Sequence, residues 1–454
     1  MSKKTELPYV CSECGAKFAS WMGRCTQCQQ WGTLEEKITK AAPRTQASVV
    51  NVAEAAQAIT SIDTSNSSNY PTGVSELDRV LGGGLVPGSV VLMAGEPGIG
   101  KSTLILDVAA KVAQSGLKAL YISAEESESQ VTLRAQRIGA LADELFLVSE
   151  TDLGTVLGHI EDVEPELLVI DSIQTLSSTE VDGVAGGTSQ VKEVAGAIIN
   201  TAKKQNITTL IVGHVTKDGT IAGPRTLEHL VDVVCQFEGD RHSTLRMVRA
   251  VKNRYGPTDE VGCFDLGEEG IKSVEDPSGL FISSDQEAVS GTCITVTLEG
   301  KRPLLAEVQA LVAQTNQAQP RRASSGLDSA RCSMLLAVLQ RRAGFPLSKY
   351  DSYLATVGGV KLTEPAVDLA AAIALTSAYT DKPVPQGTVV FGEVGLAGEV
   401  RQVPGIAKRV QEAARMGFKH ALVPVSTQKM KGIPADFKVT TIKTLSQALH
   451  YFSQ

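Results

Sequence analysis

An α/β fold built on a parallel sheet is predicted for the centre of this 454-residue chain by three observations. Val90 to Leu106 reads VVLMAGEPGIGKSTLIL: a short apolar run, a glycine-rich turn, then a run of helix-forming residues. Further strand-like apolar runs follow at Ala119–Ser123, Leu167–Asp171 and Thr208–Gly213, each closed by polar residues. A helical stretch carrying Arg134 and Arg137 lies between the first two, and alternation of strand with helix is the pattern of a parallel sheet. A small cysteine-rich module precedes this core and a β-rich α+β domain follows it. The boundaries read as 1–35 for the module, 36–69 for a linker, 70–270 for the core and 271–454 for the last domain.

The composition bounds the answer. A chain of this length exceeds one core and suggests two or three domains. Hydrophobic content of 43% with 20% charged residues is that of a globular protein. No apolar run reaches the roughly 20 residues of a membrane helix, and the N-terminus lacks an apolar signal-peptide core. A cytoplasmic location, away from membranes, is therefore expected. The net charge of −7 argues against general coating of nucleic acid but leaves room for a local basic channel.

Four of the eight cysteines open the chain as Cys11-x-x-Cys14 and Cys25-x-x-Cys28. Two such knuckles place four thiolates at tetrahedral corners around one ion. Zinc is the expected ion, though a four-cysteine set also suits iron. With no ligand position left open for water, a structural site is expected. Trp21 and Trp31 beside the knuckles are expected to cover the metal core rather than stack on bases. Cys235, Cys263, Cys293 and Cys332 are scattered and read as buried thiols. Between Lys40 and Asn69 a polar linker is predicted, with one short element near Val49–Ala58.

In the core, Gly95-Glu96-Pro97-Gly98-Ile99-Gly100-Lys101-Ser102-Thr103 matches GxxxxGK[ST]. Such a loop turns its N–H groups and the following helix N-terminus toward the phosphates of ATP. Lys101 is expected on the β/γ-phosphates and Ser102 on Mg²⁺. The strand ending in Asp171 places a second carboxylate to position Mg²⁺ through water. Ala119–Ser123 runs into Glu125 and Glu126. A carboxylate there lies beside the γ-phosphate, and Glu125 is the expected general base, with Glu126 as the alternative. His214 ends the next strand and reads as a γ-phosphate sensor reporting to Lys217 and the loop Asp218–Thr226, which holds Arg225. Ser177–Gln190 reads as a polar, glycine-rich loop after the Asp171 strand. Lys252 and Arg254 follow an alternating strand at Arg246–Val251. They suit either the nucleotide of a neighbouring subunit, as an arginine finger does, or a DNA backbone. Upstream, Leu81-Gly82-Gly83-Gly84-Leu85 reads as a tight surface loop near the nucleotide.

The paired cysteine knuckles, the phosphate loop, Ala124-Glu125-Glu126-Ser127 and Lys252-Asn253-Arg254-Tyr255-Gly256 together resemble the RadA (Sms) family of bacterial DNA repair ATPases nearly end to end. The resemblance implies a RecA-like core, zinc in the finger and a C-terminal domain similar to that of Lon proteases. It also implies a hexameric ring working on single-stranded and branched DNA beside the RecA recombinase, driving branch migration in repair and natural transformation.

The last domain reads as a strand at Gly291–Leu298, the stretch Leu304–Ala313, a helix at Pro365–Ser377, a strand at Thr388–Val394, a helix at Ile406–Met416, a strand at Ala421–Val425 and a closing helix at Thr441–Tyr451. Ser324 roughly matches the Lon nucleophile, but a serine–lysine pair needs a lysine within reach. The lysine place is Ala407, and Lys408 points about 100° away on its helix. Peptidase activity is not expected. Arg321, Arg322, Arg331, Arg341, Arg342 and Lys349 form a basic stripe broken only by Asp328, suited to DNA phosphates. A non-motor switch recruiting recombination proteins and an ATP-dependent protease are the alternatives to a DNA-driven ATPase.

Overall fold

The computed structural model describes residues 9–36, 58–61, 68–214, 227–239, 244–282, 288–315, 317, 319–426 and 432–453. The chain divides into two units, Met1–Asp63 and Thr64–Gln454. The element expected near Val49–Ala58 lies, up to residue 57, outside the described residues; a single 3₁₀ turn follows at Ile59–Ser61. In the first unit β1 (Tyr9–Cys11) pairs antiparallel with both β2 (Lys17–Phe18) and β3 (Leu34–Glu36). Its core is Cys11, Cys25 and Leu34, with Tyr9, Phe18 and Met22 packed against them.

The second unit starts at α1 (Ser75–Leu81), which Gly82 ends in the left-handed region at φ 85°. Strand and helix then alternate as expected: β4 (Val90–Gly95), α2 (Lys101–Gln114), β5 (Ala119–Ser123), α3 (Glu128–Ile138), β6 (Leu145–Ser149), α4 (Leu153–Val163), β7 (Leu167–Asp171), α5 (Thr188–Gln205), β8 (Thr208–His214) and β9 (Val233–Gly239). These six strands are mutually parallel. Three antiparallel strands extend the sheet: β10 (Leu245–Asn253), β11 (Val261–Gly267) and β12 (Gly270–Ser273), giving the order β12-β11-β10-β9-β4-β8-β7-β5-β6. Both faces are covered, which is why the strands are apolar throughout. Val91, Met93, Tyr121 and Val169 pack toward α1 and α2, while Val90, Leu92, Ile122 and Ile170 pack toward α4 and α5.

A second, mixed sheet follows: β13 (Thr292–Glu299), β14 (Arg302–Gln314), β15 (Arg322–Ser325), β16 (Tyr350–Thr356), β17 (Thr388–Val390), and, beyond the separate hairpin of β18 (Glu393–Val394) with β19 (Val400–Arg401), β20 (His420–Pro424) and β21 (Lys438–Ile442). Its order is β15-β16-β14-β13-β17-β20-β21. Helices α6 (Ser329–Arg342), α7 (Asp368–Thr380), α8 (Ile406–Arg415) and α9 (Leu445–Ser453) cover it. The alanines of α7 let it lie close on β13 and β14. Two expectations change here. The predicted strand Thr388–Val394 ends at Val390; Gly392 donates its N–H to Ala366 O and accepts from Leu369 N–H, so β18 leaves the sheet. The predicted helix from Thr441 starts only at Leu445, because Thr441 and Ile442 pair with Val423 and Pro424.

The two sheets are pinned by charge. Glu76 on α1 is fully buried and accepts from the Arg302 guanidinium at the start of β14 and, at 2.8 Å, from the Cys263 N–H. Arg302 donates its other amino group to Val274 O and Glu275 O. Nearby, Arg249 bridges Glu299 at 3.0 Å and Glu238 at 3.3 Å. A buried charge left alone costs about 3–5 kcal/mol. Arg302→Met is therefore expected to lower the midpoint of urea unfolding sharply. Glu76→Gln combined with Arg302→Met is expected to recover most of that loss, as read by the same denaturation curves.

Candidate nucleotide site and metal cluster

Because β4, β8, β7 and β5 are parallel neighbours, their C-terminal ends open on one edge of the sheet. Gly95 stands opposite His214 across β4 and β8, and Ser123 opposite Asp171 across β5 and β7. The phosphate-loop residues, Glu125, Asp171 and His214 are thus brought together, as the spacing predicts. Gly95 must be glycine: a Cβ would lie 2.7 Å from Phe237 O. Gly100 has φ +104° and turns the loop into α2. Lys101, Ser102 and Thr103 form the first turn of α2, where N–H groups lack helical partners and favour anions.

Lys101 is buried and folds back on its own loop. Its Nζ donates to Gly95 O and Glu96 O, both at 2.8 Å, and to His214 Nδ1 at 3.3 Å. Burial pulls its pKa down to about 8. His214 Nε2 lies 3.1 Å from Glu125 Oε1, and the Ser172 hydroxyl donates to the same oxygen at 2.5 Å. Those hydrogen bonds, His214 first, hold the Glu125 carboxyl down at about 2. One imidazole therefore joins the loop lysine to the carboxylate. Glu126 instead pairs with Arg134 at 2.6 Å, so of the two acids only Glu125 faces His214 and Lys101.

Several participants had no motif to mark them. The Tyr121 hydroxyl donates to Asp171 Oδ2 at 2.5 Å, and burial beside that carboxylate pushes the phenol well up. Its signal is a phenol in the middle of the apolar run ALYIS. Arg246 Nε donates to Ile99 O at 3.2 Å, bracing the phosphate loop from β10. Gln174, three residues beyond Asp171, buries both amide atoms with no hydrogen-bond partner among the described residues. The Ser177–Gln190 loop is shorter than predicted, since α5 takes Thr188 onward. Gln190 staples it by accepting from Ser178 N and donating to Ser178 O and Val181 O.

The remaining cations do not join this edge. Lys252 Nζ donates to Glu228 O at 2.6 Å and Val231 O at 2.7 Å, and Arg254 pairs with Asp232 at 2.9 Å. Asp232 lies beside Val90, the opposite end of β4 from Gly95, so about 17 Å of strand separates them from the chain's own phosphate loop. The Leu81-Gly82-Gly83-Gly84 turn is there too: Asn253 donates to Leu81 O, and a Cβ on Gly82 would meet Gly256 at 3.4 Å. That corrects the expectation that the triple glycine lies near the nucleotide of its own chain. Lys217, Arg225 and the loop Asp218–Thr226 lie outside the described residues. Arg321, Arg322, Arg341 and Arg342 are exposed and form no ion pair among the described residues. Arg331 breaks the predicted stripe; its guanidinium grips buried Asp368 with two hydrogen bonds. Ser324 donates its hydroxyl to Leu327 O.

In the first unit the four cysteine sulfurs lie within 4.8 Å of one another, with Cys11–Cys28 and Cys14–Cys25 both at 3.6 Å. Four thiolates at about 2.3 Å from a tetrahedral ion stand about 3.8 Å apart, so the set fits zinc. The Cys11 thiol also lies 3.2 Å from the Thr33 hydroxyl. Trp21 and Trp31 do not cover this cluster. They are 62% and 73% exposed, because smaller side chains already fill the core. Cys235, Cys263, Cys293 and Cys332 are buried, as expected.

Family models match the central core and the four-cysteine module. The chain matches the family described as "AAA domain" over residues 57–220, "Rubredoxin metal binding domain" over 9–36 and "Subunit ChlI of Mg-chelatase" over 336–427. It is 52% identical to the DNA repair protein RadA of Mycobacterium tuberculosis, over 98% of this chain and 92% of that protein. It is 52% identical to that of Mycolicibacterium smegmatis, over 98% and 97%. Among solved structures a KaiC-like protein of Pyrococcus horikoshii aligns with TM-score 0.39 and 19% identity, over 46% of this chain and 99% of that one. No described helix is long and apolar enough to cross a membrane.

Lys101 yields a pH prediction. Its pKa falls from 10.5 to about 8 on folding, so between those values the unfolded chain holds the extra proton. Stability of the nucleotide-free protein should rise through that window. Thermal melts of wild type and Lys101→Met across it are expected to show the wild type gaining on the variant as pH increases.

Proposed function

Since the chain belongs to the bacterial RadA family of DNA repair proteins, we propose that it is a DNA-dependent ATPase, a ring-shaped translocase on single-stranded DNA that drives branch migration with the RecA recombinase. The observation that carries this reading is the Lys101–His214–Glu125 chain at the open edge of the parallel sheet. ATP would lie along Gly95–Thr103, with Mg²⁺ held by Ser102 and, through water, by Asp171, neutralising charge between the phosphates. On binding, Lys101 exchanges two loop carbonyls and His214 for phosphate oxygens. His214 then reads the γ-phosphate, and Glu125 orients the attacking water. A carboxylate held near 2 is a weak base, so release of the His214 hydrogen bond is what raises its basicity toward the range a general base needs.

Lys252 and Arg254 lie too far from their own phosphate loop to serve it. In a closed hexameric ring they serve the neighbour's nucleotide or the DNA backbone, and the glycine turn against Asn253 and Gly256 sits at the same interface. Lys217 and Arg225, with exposed Arg321, Arg322, Arg341 and Arg342, supply phosphate contacts; Arg331 serves the fold. The last domain is read as Lon-protease-like in fold without peptidase chemistry, since Ser324 is bonded to a carbonyl and not to a lysine. Zinc holds the four-cysteine module, and the protein works in the cytoplasm.

ATP turnover with and without single-stranded DNA tests this. DNA is expected to raise turnover several-fold. Glu125→Gln should cut it by roughly 100-fold or more while ATP still binds. Lys252→Ala should keep nucleotide binding and lose the DNA response. Turnover indifferent to DNA at every salt concentration would leave a partner-recruiting switch as the better description.

A further inference from the structure

The chain has two tryptophans, and both lie exposed on the four-cysteine module. An exposed tryptophan leaves a large apolar ring in water, and here there are two within one small unit. They are placed by backbone. Arg24 and Trp31 face each other in an antiparallel bridge, and Gly32 N donates to Gly23 O at 2.9 Å. Both rings converge on Gly23: a Cβ there would meet Trp31 at 3.8 Å and Trp21 at 4.0 Å. Both ring edges thus lie on the same side of the chain, next to a residue with no side chain.

A fixed cation completes the arrangement. The Arg24 guanidinium lies 5.6 Å from the Trp31 ring centroid. It is held by Gln29, through Nε to the carbonyl at 2.7 Å and through Nη2 to Oε1 at 2.9 Å. Arg24 forms no ion pair among the described residues, so its charge is not neutralised by a neighbouring carboxylate. Two largely exposed rings, one with a guanidinium over it that has no ion pair among the described residues, match what unpaired nucleic acid requires. Its bases stack on π-faces without regard to sequence, and its phosphates seek cations.

We propose that Trp21 and Trp31, with Arg24, form a stacking platform through which the metal module grips unpaired bases of single-stranded DNA. This rests on the DNA-acting reading above and extends it to a second contact, outside the ATPase unit. The backbone bridge between Arg24 and Trp31 sets where Trp31 leaves the chain, and Gln29 holds the cation beside it, so part of the ordering cost of binding is already met.

Because the two tryptophans are confined to this module, tryptophan emission of the full-length, zinc-loaded protein reports the platform alone. A labelled oligothymidylate is titrated in, with anisotropy and tryptophan emission followed together. Emission is expected to fall in step with the rise in anisotropy. Trp21→Ala combined with Trp31→Ala should weaken binding roughly five-fold or more, with zinc content unchanged, and Trp31→Phe should retain most of it. A rise in anisotropy with unchanged emission overturns the platform and leaves the DNA-acting reading standing. No rise at all defeats both. Emission that responds to a RecA filament and not to oligothymidylate overturns the platform in favour of a protein-docking surface.

Discussion

A buried ammonium needs oxygen around it, and the nucleotide site is organised by how Lys101 meets that need. Its partners are two carbonyls of its own loop and the His214 ring. None of these is a formal anion. Burial therefore wins over the more distant carboxylates, and the lysine is left easier to deprotonate than in water. A triphosphate supplies what is missing. Because His214 also holds Glu125, replacing the partners of the lysine alters the environment of the carboxylate without any long relay. A single ring, about the width of a phosphate, couples the two.

That geometry depends on the sheet beneath it. Parallel strands end on one edge, and four consecutive neighbours each deliver one group there. The sheet is in turn fixed to the second one by Glu76 and Arg302, a charge pair withdrawn from water and saturated by backbone groups on both sides. Glu76 belongs to the helix that leads into the phosphate-loop strand, so the last domain is tied to the element just upstream of the nucleotide. At the far end of the strands lie Lys252 and Arg254, and their neighbours Asn253 and Gly256 meet the triple-glycine turn. The two ends of the same strands thus carry different cations, those at Gly95 in the phosphate loop and those at Val90 tied to Asp232 and to backbone carbonyls.

Much of the candidate site is legible without coordinates. The phosphate loop, Glu125, Asp171 and His214 each close an apolar run, and strand ends in a parallel sheet must converge. The spacing of the four N-terminal cysteines is equally direct, since covalent geometry limits how two knuckles can meet one ion. Other parts are not legible. Nothing in the spelling of Arg331 separates it from Arg321 or Arg341; only the burial of Asp368 against it turns one arginine inward and leaves the others outside. For the tryptophans, size alone suggests burial, whereas a module this small fills its core with two cysteines, a leucine and their neighbours.

Local rules that act over a few residues settled the strand–loop–helix of the nucleotide site, the metal knuckles, and the alternation that makes the sheet parallel. Those rules are steric and covalent, so they can be read in one dimension. Which acid faces the histidine, which cations are free, where the glycine turn lies relative to the phosphate loop and whether an aromatic ring is covered were decided by tertiary structure. Each of these depends on what another part of the chain, often more than a hundred residues away, leaves exposed or brings within hydrogen-bond reach.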